Sequence, residues 1–316
     1  MRAAEHRRQL DIALLAWRDL WHPQPFREAR PVWCEQWPAL TAALLALSDA
    51  EAAHLNDDVT DALCWLAGYL PDIDALLPLI EISAAEHAPP PVPGERWAWE
   101  IPGRKRSQIE AFAGAVKPGG EGVIDWCGGK GHLGRLLGLA WQQPVHTLEI
   151  DAALCADGEH LARRIGLDHR FLERDALAVT ASPRLTRQRD HDIAWKLAFT
   201  EWRAQASDAP YKTFKPVPAP WLRGSFADFL ACMAAREGLP APEQRHLEAI
   251  EAAGWQRQRE VMRLSIPRHA CRRSLELWLV LDLAECLEAR GYAPSLATFC
   301  DRQLTPRNLL LTARRV

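Results

Sequence analysis

The densest group of residues able to do chemistry is Val123-Ile-Asp-Trp-Cys-Gly-Gly-Lys-Gly-His-Leu-Gly134. Gly129, Gly131 and Gly134 match G-x-G-x-x-G, which between a strand and a helix builds a nucleotide-binding turn. Glycine allows the tight turn and a close approach of backbone to ligand, and the helix that follows presents unpaired N–H groups. Two ligand classes use such a turn, the nicotinamide or flavin dinucleotides and S-adenosylmethionine. Asp125 stands at the strand end, four residues before Gly129. A carboxylate there opposes a pyrophosphate and suits a ligand carrying an ammonium and a sulfonium. The ligand-binding candidates in this stretch are Asp125, Cys127, Gly128, Gly129, Gly131 and His132. His132 either meets a ligand carboxylate or caps the helix, and both readings stand. Lys130 is expected to face solvent.

Two further acidic positions follow in order. Glu149, in Leu148-Glu-Ile-Asp151, lies 18 residues after Gly131. A carboxylate at the end of a second strand can accept two hydrogen bonds from ribose hydroxyls. Glu149 is the first choice for this role and Asp151 the second. Both ligand classes use this device, so it does not separate them. Asp175, in Glu173-Arg-Asp-Ala176, ends the expected third strand.

The elements needed to hold these residues are visible as pattern. EGVIDWCGGKGHLGRLLGLA reads as strand, glycine loop and helix, PVHTLEID as a strand, AALCADGEHLARRIG as a helix and HRFLERDA as a short strand. This β-α-β-α-β order predicts an open parallel sheet in an α/β fold. Residues 1–86 carry helical periodicity with no strand signal and are expected to form an N-terminal helical domain. A Pro-rich linker at 87–95 separates it from a second domain over 96–316. That domain is expected to hold a mostly helical insertion at about 185–290. SLATFC and NLLLTARR are expected as closing strands.

The run Asp-x-Cys-x-Gly-x-Gly resembles motif I of class I S-adenosylmethionine-dependent methyltransferases, with Cys127 in place of the first glycine. D-W-C-G-G-K-G-H-L-G also resembles a bacterial group of methyltransferase domains. That resemblance covers 95–177 and 190–316 and includes Pro102-Gly-Arg-Lys-Arg-Ser-Gln-Ile109, Phe214-Lys-Pro-Val-Pro218, Trp221-Leu-Arg-Gly-Ser-Phe-Ala-Asp-Phe229 and Leu304-Thr-Pro-Arg-Asn-Leu-Leu310. It implies a Rossmann-like sheet, S-adenosylmethionine as cofactor, methyl transfer, and Asp175 at the adenine amino group. One departure is sharp. The group's fourth strand should end in a motif like Ala-Leu-His-Ala-Cys-Gly beside the transferred methyl. Here 176–195 reads ALAVTASPRLTRQRDHDIAW, with a short apolar start and no such motif. The sheet is therefore expected to be shortened after the third strand, or completed from 260–266 (EVMRLSI), with slow or absent catalysis. No catalytic residue is identified. The alternatives are a non-catalytic cofactor-binding or scaffold protein and an NAD-dependent oxidoreductase.

Composition bounds the rest. At 316 residues, 48% hydrophobic and 25% charged, the chain is globular with room for about two domains. No apolar run reaches the roughly 18 residues of a membrane helix, and MRAAEHRRQLDIALLAW is no signal peptide. The 8 cysteines form no C-x-x-C pair or Cys/His cluster, so no zinc site is expected. Scattered thiols without an export signal suggest a cytoplasmic protein, and the Arg- and Ala-rich composition is associated with a bacterial source. There is no G-x-S-x-G nucleophile elbow and no Walker loop. Residues 1–101 carry a net charge of −9, while 182–224 and 255–316 together carry +9. The basic segments either pair with the acidic half or meet an acidic substrate such as RNA. Asp190-His191-Asp192 reads as a solvated helix face. Tyr211–Pro218 reads as a wrap across the domain or a surface for stacked bases.

Overall fold

The computed structural model describes residues 3–88, 94, 96–173, 186–207 and 216–316. The chain divides into two units, each discontinuous in sequence. Met1–Ile80 joins Ser182–Leu279, and Glu81–Ala181 joins Val280–Val316.

The second unit carries the glycine loop. Its parallel sheet runs β1 (Val123–Trp126), β2 (Val145–Glu149), β3 (His169–Glu173) in spatial order 1-2-3. The helices His132–Trp141 and Ala152–Arg164 connect these strands. The first is the loop helix. Its apolar side presses on the sheet, where Leu136, Leu137, Val123 and Val145 join Trp97, Ile109 and Ala113 in a buried cluster. Gly134 and Gly138 allow this approach, since a Cβ at Gly138 would come 2.4 Å from Val145 Cγ2. Along β1 burial alternates, with Val123 and Asp125 covered and Ile124 and Trp126 exposed. That is the two-residue period of a sheet packed on one face.

Among the described residues β1 has one strand neighbour. The expectation of a shortened sheet turns on the stretch after β3, much of which is not described. Residues 176–185 lie outside the described residues, and 186–195 are helical. The proposed replacement at 260–266 is corrected. Residues 260–264 belong to the helix Leu247–Leu264 and Ile266 opens another. Arg257, Val261 and Leu264 are all buried there, a spacing of four and three that suits a helix and not a strand. The two C-terminal strands are present as β4 (Tyr292–Thr298) and β5 (Leu309–Arg315), an antiparallel pair in a separate sheet.

Two of the resembling motifs meet in this unit. Arg104 Nε and Gln108 Nε2 both donate to the Leu304 carbonyl at 3.0 Å. This ties the helix Gly103–Ala115 to the turn before β5.

The first unit corrects the domain expectation. The helices expected as an insertion in the second domain pack with the first eighty residues. Arg257 donates to the carbonyls of Pro25, Glu28 and Ala29 at 3.1, 2.8 and 2.6 Å. Arg263 donates to Leu47 O at 2.9 Å and pairs with Asp49 at 2.8 Å. Arg268 bonds the carbonyls of Trp21 and His22. The physical reason is the position of these carbonyls: Trp21, His22 and Leu47 stand at helix ends, whose carbonyls have no partner within the helix, while Pro25, Glu28 and Ala29 lie in the turns between the helices Arg18–Trp21 and Trp33–Gln36. Arginines more than 200 residues away satisfy them. The core of the helical stretch gathers Trp195, Phe199, Phe226, Phe229 and Met233. Asp190-His191-Asp192 is not a solvated face either. Asp192 is buried and the His191 ring lies 4.0 Å from the Trp195 ring, four residues on and so one helical turn away on the same face.

Candidate functional site

The glycine loop leaves the carboxyl end of β1, where open α/β sheets bind ligands. The loop is closed by Gly131 N–H donating to Gly128 O at 2.9 Å and held to the sheet by Gly128 N–H on Leu148 O at 3.3 Å. Gly129 and Gly131 have φ of +57° and +63°. A Cβ on Gly129 would meet nothing within 4 Å, so the loop has open space at this residue. A Cβ on Gly131 would lie 2.5 Å from His169 Cε1 and 2.7 Å from Phe171 Cζ.

Cys127, at the position where the resembling family has glycine, takes a left-handed φ of +55°. The thiol is free and exposed. A side chain in this conformation costs about 1–2 kcal/mol, and the extra freedom of an unfolded glycine offsets about 0.5–1. Cys127→Gly is therefore expected to raise stability by about 0.5–1 kcal/mol, read as a higher urea midpoint. An unchanged or lower midpoint would show that the loop carries no strain here.

The acidic candidates separate by what they touch. Glu149 reaches over the loop, its Oε2 accepting from Gly129 N–H at 2.9 Å and its Oε1 from Ile150 and Asp151 N–H at 2.8 and 3.1 Å. It is half-buried and stands at the loop's open side. Asp125 lies below the loop, buried, with Oδ2 accepting from Gly134 N–H at 3.0 Å. Burial pushes its pKa up, against the Gly134 hydrogen bond and the Lys105 charge. Asp151 caps the helix Ala152–Arg164, accepting from Ala153 and Leu154 N–H at 2.8 and 3.2 Å. Asp175 lies outside the described residues, as do positions 211–215 of the basic aromatic loop. Beside Glu149, Ile150 and Trp126 are exposed, as is Leu172 on the neighbouring strand.

Lys130 does not simply face solvent. Its Nζ pairs with Asp157 at 2.9 Å and stands 4.0 Å from Glu100. His132, in the first turn of the loop helix, is held through Nδ1, which lies 2.7 Å from Arg135 Nη2. Arg135 is 1% exposed and also donates to Trp97 O at 3.0 Å and Lys130 O at 3.4 Å. Burial pulls its pKa down to about 10, and burial with the charges of Arg135, Lys130 and Lys105 pushes His132 down to about 4. Sequence reading missed Arg135 and Trp97. The signal for Arg135 was present, a lone cation in the apolar run Leu133–Leu139.

A cavity of about 1050 Å³ lies elsewhere in this unit, lined by 83–86, 115–119 and the faces of β4 and β5. Its charged members are Glu86, Lys117, Arg314 and Arg315, of which Glu86 and Lys117 are exposed and pair with each other at 3.7 Å. Among the described residues no helix is long and apolar enough to cross a membrane.

No family model matches the chain, and no curated protein matches it at a significant level. Among solved structures it is similar to a geranyl diphosphate methyltransferase in complex with GPP and sinefungin, at 16% identity over 68% of this chain and 80% of that one, with a TM-score of 0.22. At that score the chemistry rests on the loop's own geometry.

Proposed function

We propose that the loop Cys127–Gly131 with Glu149 binds S-adenosylmethionine and that the chain is a methyltransferase, with RNA as the favoured class of acceptor. The observation that carries the reading is the Glu149 carboxylate on the Gly129 amide, beside open space and above the buried Asp125. Two N–H groups that a pyrophosphate would seek, those of Gly129 and Gly134, already serve carboxylates. Lys130, a cation that would offset a phosphate, is engaged by Asp157. A dinucleotide would thus meet net negative charge, whereas a sulfonium and an ammonium gain from it.

Glu149 is the residue to hold the ribose, and exposed Ile150 offers an apolar surface beside it for a base. When bound, the cofactor supplies an electrophilic methyl on a sulfonium. The chain's part is to hold that group and align an acceptor with it. The basic segments at 182–224 and 255–316 support an acidic acceptor, although several of their arginines are spent on carbonyls of the first unit. A second reading, a cofactor-binding scaffold without turnover, is favoured by the three-stranded sheet among the described residues.

Calorimetry with S-adenosylmethionine, its demethylated product and NAD tests the proposal. Binding of the first two, with NAD far weaker, is the expected result. Tighter binding of NAD would sink it. Cofactor-dependent methylation of total cellular RNA separates the enzyme from the scaffold.

A further inference from the structure

We infer that two segments of the sheet unit, 102–110 and 300–310, together form the surface that receives the phosphate backbone of a single-stranded RNA acceptor, with Arg104, Lys105 and Arg307 as its phosphate contacts. This rests on the reading of the chain as a methyltransferase with an RNA acceptor. It assigns the contact to the sheet unit and not to the arginines that bond carbonyls in the first unit.

The two segments meet at one atom. Arg104 Nε and Gln108 Nε2 both donate to the Leu304 carbonyl at 3.0 Å. Lys105 adjoins Arg104, and Arg307 stands three residues beyond Leu304. The turn that carries Arg307 is held by its own bonds. Leu304 N–H donates to Asp301 O at 3.1 Å, Gln303 N–H to Asp301 Oδ1 at 2.7 Å, and the buried Asn308 side chain to Cys300 O at 2.7 Å. A fixed frame of this kind lowers the ordering cost of binding.

The segments carry five cations and two carboxylates. Both carboxylates are engaged, Glu110 with Arg106 at 2.9 Å and Asp301 with the Gln303 amide. Arg104, Lys105 and Arg307 are exposed, and none of them is ion-paired among the described residues. What these charges attract follows from their surroundings. Pro102, Gly103, Ser107, Gln303 and Pro306 are the exposed residues between them, and no large apolar side chain of either segment is exposed. A protein partner needs such anchors at the centre of its interface. A polyphosphate needs charge alone, and forked guanidinium donors match its oxygens. A Cβ on Gly103 would meet nothing within 4 Å, so a ligand backbone has room to approach there.

The surface also borders the glycine loop. After burial and the nearer groups, the charge of Lys105 is felt by both Asp125 beneath the loop and His132 in the helix that follows it. A strand seated on Lys105 therefore passes the carboxyl end of the sheet. Its bases must be unstacked to reach a methyl group there, which favours a single strand over a duplex.

Fluorescence anisotropy with a short labelled single-stranded RNA of mixed sequence, on the full chain without cofactor, tests the surface. Each phosphate contact to a single strand steepens the fall of log affinity with log salt by about 0.7. Lys105→Gln combined with Arg307→Gln should flatten that slope by about 1.4, with the circular dichroism unchanged. Arg314→Gln combined with Arg315→Gln is the control. It removes the same charge from exposed residues at the end of β5 and should leave the slope near the wild-type value. Equal flattening by both pairs would overturn the inference, because net charge and not this surface would then hold the RNA. Tighter wild-type binding of poly-glutamate or of anionic lipid vesicles than of RNA would overturn it as well. If the first pair does not fold, photo-cross-linking of a 4-thiouridine RNA to the wild-type chain decides. Adducts within 102–110 or 300–310 are expected, and adducts confined to other segments would remove the RNA from this surface. A wild-type chain that binds no RNA sinks both the surface and the RNA acceptor, while calorimetry with S-adenosylmethionine still judges the loop by itself.

Discussion

Gly131→Ala is expected to destabilise the unit that holds the loop by about 3 kcal/mol, the sum of two costs of about 1–2 and 1–3 kcal/mol. The first is backbone strain, because Gly131 has φ +63°. The second is overpacking. The new methyl would lie 2.5 Å from His169 Cε1 and 2.7 Å from Phe171 Cζ. Those rings are stacked at 4.4 Å, and His169 is further held by Thr147 Oγ1 at 2.7 Å. Neither ring can yield without disturbing the other. Gly129→Ala is the internal control. Its φ is similar at +57°, but its Cβ meets nothing, so only the strain of about 1–2 kcal/mol applies. Urea unfolding of the two variants decides. Equal midpoints would show that the His169–Phe171 pair gives way freely and that close packing under the loop is not what requires glycine at 131.

Glu149→Ala is expected to weaken binding of S-adenosylhomocysteine by about 1–3 kcal/mol, the range for losing a hydrogen-bonding partner that carries charge. The fold should survive. The three amides that Glu149 serves, those of Gly129, Ile150 and Asp151, lie at the solvent side of the loop and can turn to water. Glu149→Gln keeps one acceptor oxygen and should fall between wild type and alanine. Calorimetry for binding and far-UV circular dichroism for the fold give the two readings. Normal binding by Glu149→Ala would leave Asp151, the cap of the next helix, or no acidic residue to hold the ribose.

What could be read in advance followed from how local each signal was. The order strand, glycine loop, helix, strand, helix, strand was legible because apolar alternation and glycine spacing act within a few residues of themselves. Cys127 was legible as a residue in a glycine's place, and its φ of +55° shows why glycine belongs there. Glu149 was ranked above Asp151 on position; both accept backbone N–H groups, Glu149 across the glycine loop and Asp151 as the cap of its helix. Asp125 was placed at the end of β1, which is where it stands. A carboxylate beside a helix N-terminus has a nearer partner in that helix's own amides, here Gly134. The grouping of helices was not legible. It depends on arginine–carbonyl bonds such as Arg257 to Ala29 and Arg263 to Leu47. A carbonyl leaves no trace in residue type, so no pattern announces which distant arginine will find it. The change of unit falls at Ile80–Glu81, ahead of the Pro-rich run at 87–95, and the chain returns to the first unit after Ala181.

That return has a consequence for how the protein is made. A ribosome releases residues 1–80 long before it reaches Arg257, Arg263 and Arg268, which bond carbonyls among those first residues. At about 5–20 residues per second, translating from 81 to 279 takes about 10–40 s. Through that interval the nascent N-terminal helices have an incomplete partner surface, while the sheet unit begun at Glu81 still waits for β4 and β5 at the chain's end. Neither unit can finish before the other is nearly whole. The completion of each unit is thus tied in time to the synthesis of the other.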